Sequence, residues 1–68
     1  MIDTTRIKDI REDNDITQEQ MASIMHVNRS TYSMWEIGLS VMSVEQLCNF
    51  SAYFNYSIDY VLGLTNNR

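Results

Sequence analysis

Four helix-capping signals divide this chain into short segments, and they limit the folds that it can adopt. Each is a side chain whose oxygen can accept a hydrogen bond from an unpaired backbone amide in the first turn of a helix. The four residues are Thr17, Asn28, Ser43 and Ser57. At Thr17 and Ser43 a glutamine follows three residues later, which completes a capping box. Proline is absent, and the two glycines, Gly38 and Gly63, come where the third and fifth helices would end.

These caps and the hydrophobic spacing between them predict five helices. The first begins near Asp3 or Thr4 and ends near Asn14 or Asp15, and the other four follow the caps, the fourth ending near Asn55. A chain of 68 residues is one domain at most. We therefore expect an all-α fold, a compact five-helix bundle formed by residues 1–68.

The composition argues against an enzyme and against a metal protein. The chain has one cysteine and one histidine, so it has no disulfide framework, and His26 cannot supply the converging ligands of a structural zinc site. Cys48 lies on the fourth predicted helix and His26 near the end of the second, with no obvious third catalytic member. We expect no catalytic residues, no metal and no cofactor, and no small-molecule ligand is evident.

The hydropathy pattern predicts a cytoplasmic protein without a membrane partner. No apolar run approaches the roughly 18 residues of a membrane span, and the first residues, MIDTTRIKD, lack the apolar region of a signal peptide. A lone thiol suits a reducing compartment, and we expect Cys48 to pack in the core beside Leu47, Phe50 and Ala52.

The second and third predicted helices have the spacing of a helix-turn-helix. Residues 26–28 join them, and the third helix has a polar N-terminal half. A short turn of this kind sets the second helix of the pair at a steep angle, so that it can enter a DNA major groove. We expect Tyr32 and Trp35 to pack inward, while the pattern leaves Met34 ambiguous.

Residues 17–38, TQEQMASIMHVNRSTYSMWEIG, resemble the helix-turn-helix of the lambda Cro and C1 repressor-like family, also called the xenobiotic response element family. The resemblance extends over residues 5–66 through IKDIRED and FNYSIDYVLG. It implies a fold of the lambda repressor-like type. It also implies a sequence-specific regulator of transcription, with repression as the favoured outcome, whose helix 28–37 reads double-stranded DNA.

The resemblance also implies roles for individual residues. Gln18 takes the family's phosphate-contacting position, and Arg11 and Glu36 match a structural ion pair that ties the first helix to the third. Arg29 can form a bidentate contact with guanine. The remaining DNA-binding candidates lie on the turn and the exposed face of the third helix: Asn28, Ser30, Thr31, Ser33 and Met34.

Self-association is expected at the C-terminal end. A short terminal helix needs few apolar side chains to pack on the core, and this one has three further candidates, Tyr56, Tyr60 and Leu64. We expect them to form the two-fold contact of a homodimer. A dimer would engage two half-sites about 34 Å apart.

An alternative function comes from the charge and from the segment LSVM. The formal net charge is -4, whereas DNA-binding surfaces are usually basic, so the charge gives only weak support for DNA binding. In addition, family members often carry basic residues where this chain has Leu39, Val41 and Met42. If exposed, these three side chains would form an apolar patch. The alternative is a helix-turn-helix module adapted as a protein-interaction or antirepressor domain with weak or no DNA binding.

Overall fold

Five helices follow one another in the computed structural model, which describes residues 6–67. They are α1 (Arg6–Asp13), α2 (Gln18–Ile24), α3 (Arg29–Ile37), α4 (Val44–Phe54) and α5 (Ile58–Val61). The predicted all-α fold is confirmed over this range. The expected start of the first helix, near Asp3 or Thr4, lies outside the described residues.

The predicted caps are present with hydrogen-bond geometry. Thr17 Oγ1 accepts from the Gln20 amide at 3.1 Å, and Gln20 Oε1 accepts from the Thr17 amide at 2.9 Å, which is a complete capping box. Ser43 and Gln46 repeat it, with distances of 3.1 and 2.8 Å. Ser57 caps α5 by accepting from the Tyr60 amide. These local contacts fix where the helices begin, because each satisfies amides that the helix itself leaves unpaired.

Left-handed backbone conformations end two helices and shape the turns. Gly38 ends α3 with φ 82°, and Asn55 ends α4 with φ 59°. His26, in the turn between α2 and α3, has φ 60°, a conformation that histidine enters more readily than most side chains. The expectation that His26 is a turn residue is confirmed.

The core draws side chains from all five helices. Its fully enclosed members are Ile7, Met21, Tyr32, Trp35, Phe50 and Val61. Tyr32 and Trp35 pack edge to face, with ring centroids 5.9 Å apart and ring planes at 74°. Aromatic pairs prefer this arrangement. Both rings point inward, as predicted, and they anchor the inner face of α3.

The inner face of α4 differs from the prediction. Leu47, Phe50 and Ser51 are buried, because a helix in contact with the core on one side buries positions three and four residues apart. Cys48 and Ala52 fall on the outer side and are exposed. The expectation that Cys48 packs in the core is therefore wrong.

The first and last helices meet and close the bundle. The Arg6 guanidinium lies 4.8 Å from the centre of the Tyr60 ring, and α1 contacts both α3 and α5. Within residues 6–67, no helix combines the length and the apolar character needed to cross a bilayer.

Candidate nucleic-acid interface

The turn between α2 and α3 consists of residues 25–28 and is closed by backbone hydrogen bonds. The Met25 amide donates to Met21 O at 3.0 Å, and the Val27 amide donates to Ala22 O at 3.0 Å. The left-handed His26 between them redirects the chain. Because the turn is short and fully bonded, α3 leaves it in a fixed direction relative to α2.

Helix α3 has an enclosed inner face and an outer face open to solvent. Tyr32, Trp35 and Glu36 are buried. The predicted DNA-binding side chains divide into two groups: Asn28, Arg29, Ser30 and Met34 are exposed, and Thr31 and Ser33 are half-buried. The outer face therefore presents one guanidinium and several hydroxyl groups on a helix whose other side is held by the core.

Asn28 has a structural role that limits what it can offer to a ligand. Its Oδ1 accepts a hydrogen bond from the Thr31 amide at 2.8 Å, and the residue is the N-cap of α3. The carboxamide oxygen is therefore engaged, while the Nδ2 group remains on the exposed side of the turn. Arg29, the next residue, stands in the first turn of the helix.

Arg11 and Glu36 lie in direct contact beneath α3. Arg11 Nε donates to Glu36 Oε2 at 2.7 Å, and Arg11 Nη2 donates to Glu36 Oε1 at 3.3 Å. Arg11 Nη1 also donates to the Ile16 carbonyl at 2.8 Å. The hydrogen bond to Glu36 raises the pKa of Arg11. The pair joins α1 to α3, and the bond to Ile16 joins Arg11 to the segment that precedes α2.

Gln18 is half-buried, and its amide is directed toward the same carboxylate. Its Nε2 donates to Glu36 Oε1 at 3.0 Å. Burial disfavours the charged form of Glu36, but the hydrogen bonds from Arg11 and Gln18 outweigh burial, so the pKa of Glu36 lies below its ordinary value. Glu36 is therefore an anion inside the domain, held from two sides.

The Tyr32 hydroxyl lies near this cluster. Burial and the neighbouring Glu36 charge raise the pKa of Tyr32. Among the described residues, the hydroxyl has no partner within hydrogen-bonding geometry, so Glu36 acts on it as a nearby charge. The hydroxyl of Tyr32 stays protonated.

Charge is unevenly distributed along the chain. Between Glu19 and Glu45 the permanently charged residues are Arg29 and Glu36, and Glu36 is compensated by Arg11. By contrast, several exposed acids belong to α1 and the turn after it: Asp9, Glu12, Asp13 and Asp15. The net charge of -4 is therefore not the charge of the region around α3.

An apolar strip runs along the sequence from the end of α3 to the start of α4. We define it as Ile37, Leu39, Val41 and Val44, whose exposed fractions are 65%, 75%, 56% and 74%. Met42, expected in this patch, is instead a core residue with 4% exposure, because the chain turns inward there before Ser43 caps α4. Sequence reasoning missed Ile37, the last residue of α3, and Val44, the first residue of α4, because nothing in the local sequence distinguishes them from buried apolar residues.

The residues predicted to form a dimer have different surroundings. Tyr56 and Tyr60 are half-buried and in contact with each other, with ring centroids 5.1 Å apart, and Tyr56 also stacks on Phe54. Leu64 is 73% exposed. Much of the tyrosine surface is thus used inside this domain, and the dimer stays a prediction.

No group of three or more His, Cys, Asp or Glu side chains in residues 6–67 is arranged to hold a metal ion.

The link between Gln18 and Glu36 had no sequence signal, because the two residues are 18 positions apart and only the turn brings them together.

Comparisons with known proteins agree with this geometry. The chain is 33% identical over 57 residues to the HTH-type transcriptional activator BcrR of Enterococcus faecalis, covering 84% of this chain and 28% of BcrR. It is 27% identical over 62 residues to the HTH-type transcriptional regulator YobD of Bacillus subtilis (strain 168), covering 91% of this chain and 55% of YobD. The chain therefore spans about a quarter to a half of the length of these relatives.

A solved structure has the same fold. The crystal structure of a transcriptional regulator from Listeria innocua superimposes with a TM-score of 0.83 at 22% identity, covering 88% of this chain and 56% of that protein. A family model described as Helix-turn-helix matches residues 7–61, which include nearly all of the five helices. The predicted resemblance is confirmed, and the chain belongs to the helix-turn-helix family of the Cro/C1 type.

Proposed function

We propose that this chain is the sequence-specific DNA-binding domain of a transcriptional regulator, and that α3 reads the major groove of double-stranded DNA. The observation that carries the proposal is the two-sided character of α3. Its inner face is fixed by Tyr32, Trp35 and Glu36, while its outer face presents Arg29 and hydroxyl groups. A groove about 12 Å wide admits one helix held in this way.

Each outer side chain has a role in this proposal. Arg29 reads a base edge, and the exposed hydroxyl of Ser30 and the half-buried hydroxyls of Thr31 and Ser33 bind bases or phosphates. The Nδ2 group of Asn28 and the thioether of Met34 complete the surface. Gln18, at the other end of the motif, lies beside the DNA backbone.

Affinity per monomer is low in this proposal, because the surface carries few cations. The charge distribution makes binding possible, since the exposed acids of α1 lie on an element whose inner side packs against α3. Two copies acting as a homodimer on a palindromic site would raise the affinity. Repression is the favoured outcome, because a domain bound at a promoter blocks access to that stretch of DNA.

In vitro selection of bound DNA from a random pool tests the proposal. Wild-type protein should enrich a palindrome with half-sites about one helical turn apart. Arg29→Ala should cost on the order of 1 to 3 kcal/mol per half-site and relax the preference at one base position. Lys8→Ala is the matched control, since it removes an exposed cation from α1 and should change affinity only slightly. A pool that remains random at micromolar protein and low salt would contradict the proposal.

A second candidate function is a protein-interaction or antirepressor module. The observation in its favour is the apolar strip, which lies where a DNA-binding surface would carry cations. NMR shifts recorded with selected DNA and with candidate partner proteins separate the two functions. Shifts on Arg29 and Ser30 with DNA favour the first, and shifts confined to Leu39, Val41 and Val44 with a protein favour the second.

A further inference from the structure

We infer that Gln18 sets the orientation of α3 through Glu36 and is thereby a specificity-determining residue, one that acts without touching a base. The inference rests on the proposed DNA-binding function and assigns Gln18 a role besides contact with the DNA backbone. Its starting point is the hydrogen bond of 3.0 Å from Gln18 Nε2 to Glu36 Oε1.

Three helices meet at the Glu36 carboxylate. Arg11 of α1 donates to Oε2 at 2.7 Å and to Oε1 at 3.3 Å, and Gln18 of α2 donates to Oε1 at 3.0 Å. Glu36 itself belongs to α3. Because the carboxylate is held from two directions by two other helices, α3 cannot slide or rotate about its axis without stretching one of these bonds.

The bond from Gln18 is stronger than an ordinary surface contact. Glu36 is charged and 5% exposed, and a hydrogen bond to a charged group in a low-dielectric interior is stronger than one between neutral groups. The buried residues of α2, Met21 and Ala22, are apolar. Apolar packing resists separation of the helices but has little directionality, whereas a hydrogen bond fixes direction.

Orientation matters because Arg29 is on the same helix as Glu36. Side chains in a recognition site must be held within about 0.5 Å of the productive geometry. A small rotation of α3 would carry Arg29 away from a base edge while leaving it close to phosphates. Loss of the Gln18 contact should therefore reduce discrimination between sequences more than it reduces total affinity.

Gln18→Met tests this role, because methionine has a similar length and no donor. The ratio of affinities for a selected operator and for the same duplex with one altered base pair should fall about tenfold. The slope of affinity against salt should stay unchanged. Gln18→Lys, which keeps a donor facing Glu36, should retain the ratio. Ser23→Ala is the control, since it changes an exposed polar side chain of the same helix and leaves both Glu36 and the capping box intact.

The alternative outcomes are distinct. If Gln18 acts only as a phosphate contact, Gln18→Met should weaken binding to matched and altered duplexes by the same factor, which would overturn the inference; the salt slope stays unchanged in either case, because a neutral amide releases no counterion. In the DNA-free protein, Gln18→Met should shift the backbone amide resonances of Arg29 and Ser33, and Ser23→Ala should not. Unshifted α3 resonances would overturn the inference even if wild-type protein binds DNA. A wild-type protein that binds no DNA would overturn the proposed function, and the NMR comparison would still decide whether Gln18 orients α3.

Discussion

Arg11 Nε and Glu36 Oε2 lie 2.7 Å apart, with 10% and 2% of the two side chains exposed. A buried ion pair contributes little net stability, but removing one partner leaves a buried charge without compensation. The pair is thus worth more as a constraint on the relative position of α1 and α3 than as a source of stability.

Arg11→Met should destabilise the domain by about 3 to 5 kcal/mol, because Glu36 then stays buried without its cation. Domains of this length have about 3 to 10 kcal/mol of stability in total, so the variant should be partly unfolded at room temperature. Urea unfolding followed by circular dichroism measures the effect. The double variant Arg11→Met, Glu36→Met should recover much of the loss, and Arg6→Met, which removes a less buried cation, should cost about 1 kcal/mol or less.

Acid should weaken the domain through Glu36. Its pKa in the folded protein lies below the ordinary value of 4.5, so its contribution to stability is fully present above that value and is lost as pH falls through the lowered folded-state value. Urea midpoints measured from pH 6 downward should fall below about pH 4.5. Glu45→Gln, which changes an exposed carboxylate, should leave this fall in place. A Glu36→Gln protein that unfolds with the same acid dependence as wild type would contradict the prediction.

Asn28→Ala should cost about 0.5 to 2 kcal/mol, because the Thr31 amide loses the acceptor that caps α3. The control is Asn49→Ala, the same substitution at an exposed position inside α4, where alanine has the better helix propensity and stability should be unchanged or slightly higher. Thermal unfolding of both variants gives the comparison. Equal losses in the two would show that the cap contributes nothing specific.

Leu39→Lys should raise DNA affinity several-fold and steepen the salt dependence by about one unit, if the apolar strip lies beside the phosphate backbone. Ala52→Lys makes the same change in net charge at an exposed position on the outer side of α4. It should have little effect. Fluorescence anisotropy with the selected operator at several salt concentrations measures both. Identical behaviour of the two variants would place the strip away from DNA.

The sequence was informative where a feature depends on a few consecutive residues. The capping boxes at Thr17 and Ser43 involve four residues each, so the pattern alone predicts the helix starts. The αL ends at Gly38 and Asn55 are equally local. The family resemblance then supplied the order of the helices and the pairing of Arg11 with Glu36.

Features that depend on how helices rotate against one another could not be predicted. Cys48 is one position from the buried Leu47, and a single step along a helix turns a side chain by about 100°, which moved it from the expected core to solvent. The same rotation exposes Ile37 and Val44. The contact between Gln18 and Glu36 depends on the turn at His26, which brings α2 and α3 together, and no local sequence pattern predicts this contact.

The uneven charge of this domain gives it a preferred direction of approach to DNA. The four exposed acids of α1 and the turn after it outnumber Arg6 and Lys8, the two cations there that are not paired with Glu36, so a phosphate backbone repels this region more than the nearly neutral region around α3. Encounters in which the acidic region faces DNA therefore dissociate before any base is contacted. Encounters in which α3 faces DNA persist longer. With few cations to hold it on arbitrary sequences, the domain would spend little time trapped on the rest of a genome, and its occupancy would be concentrated at matched sites.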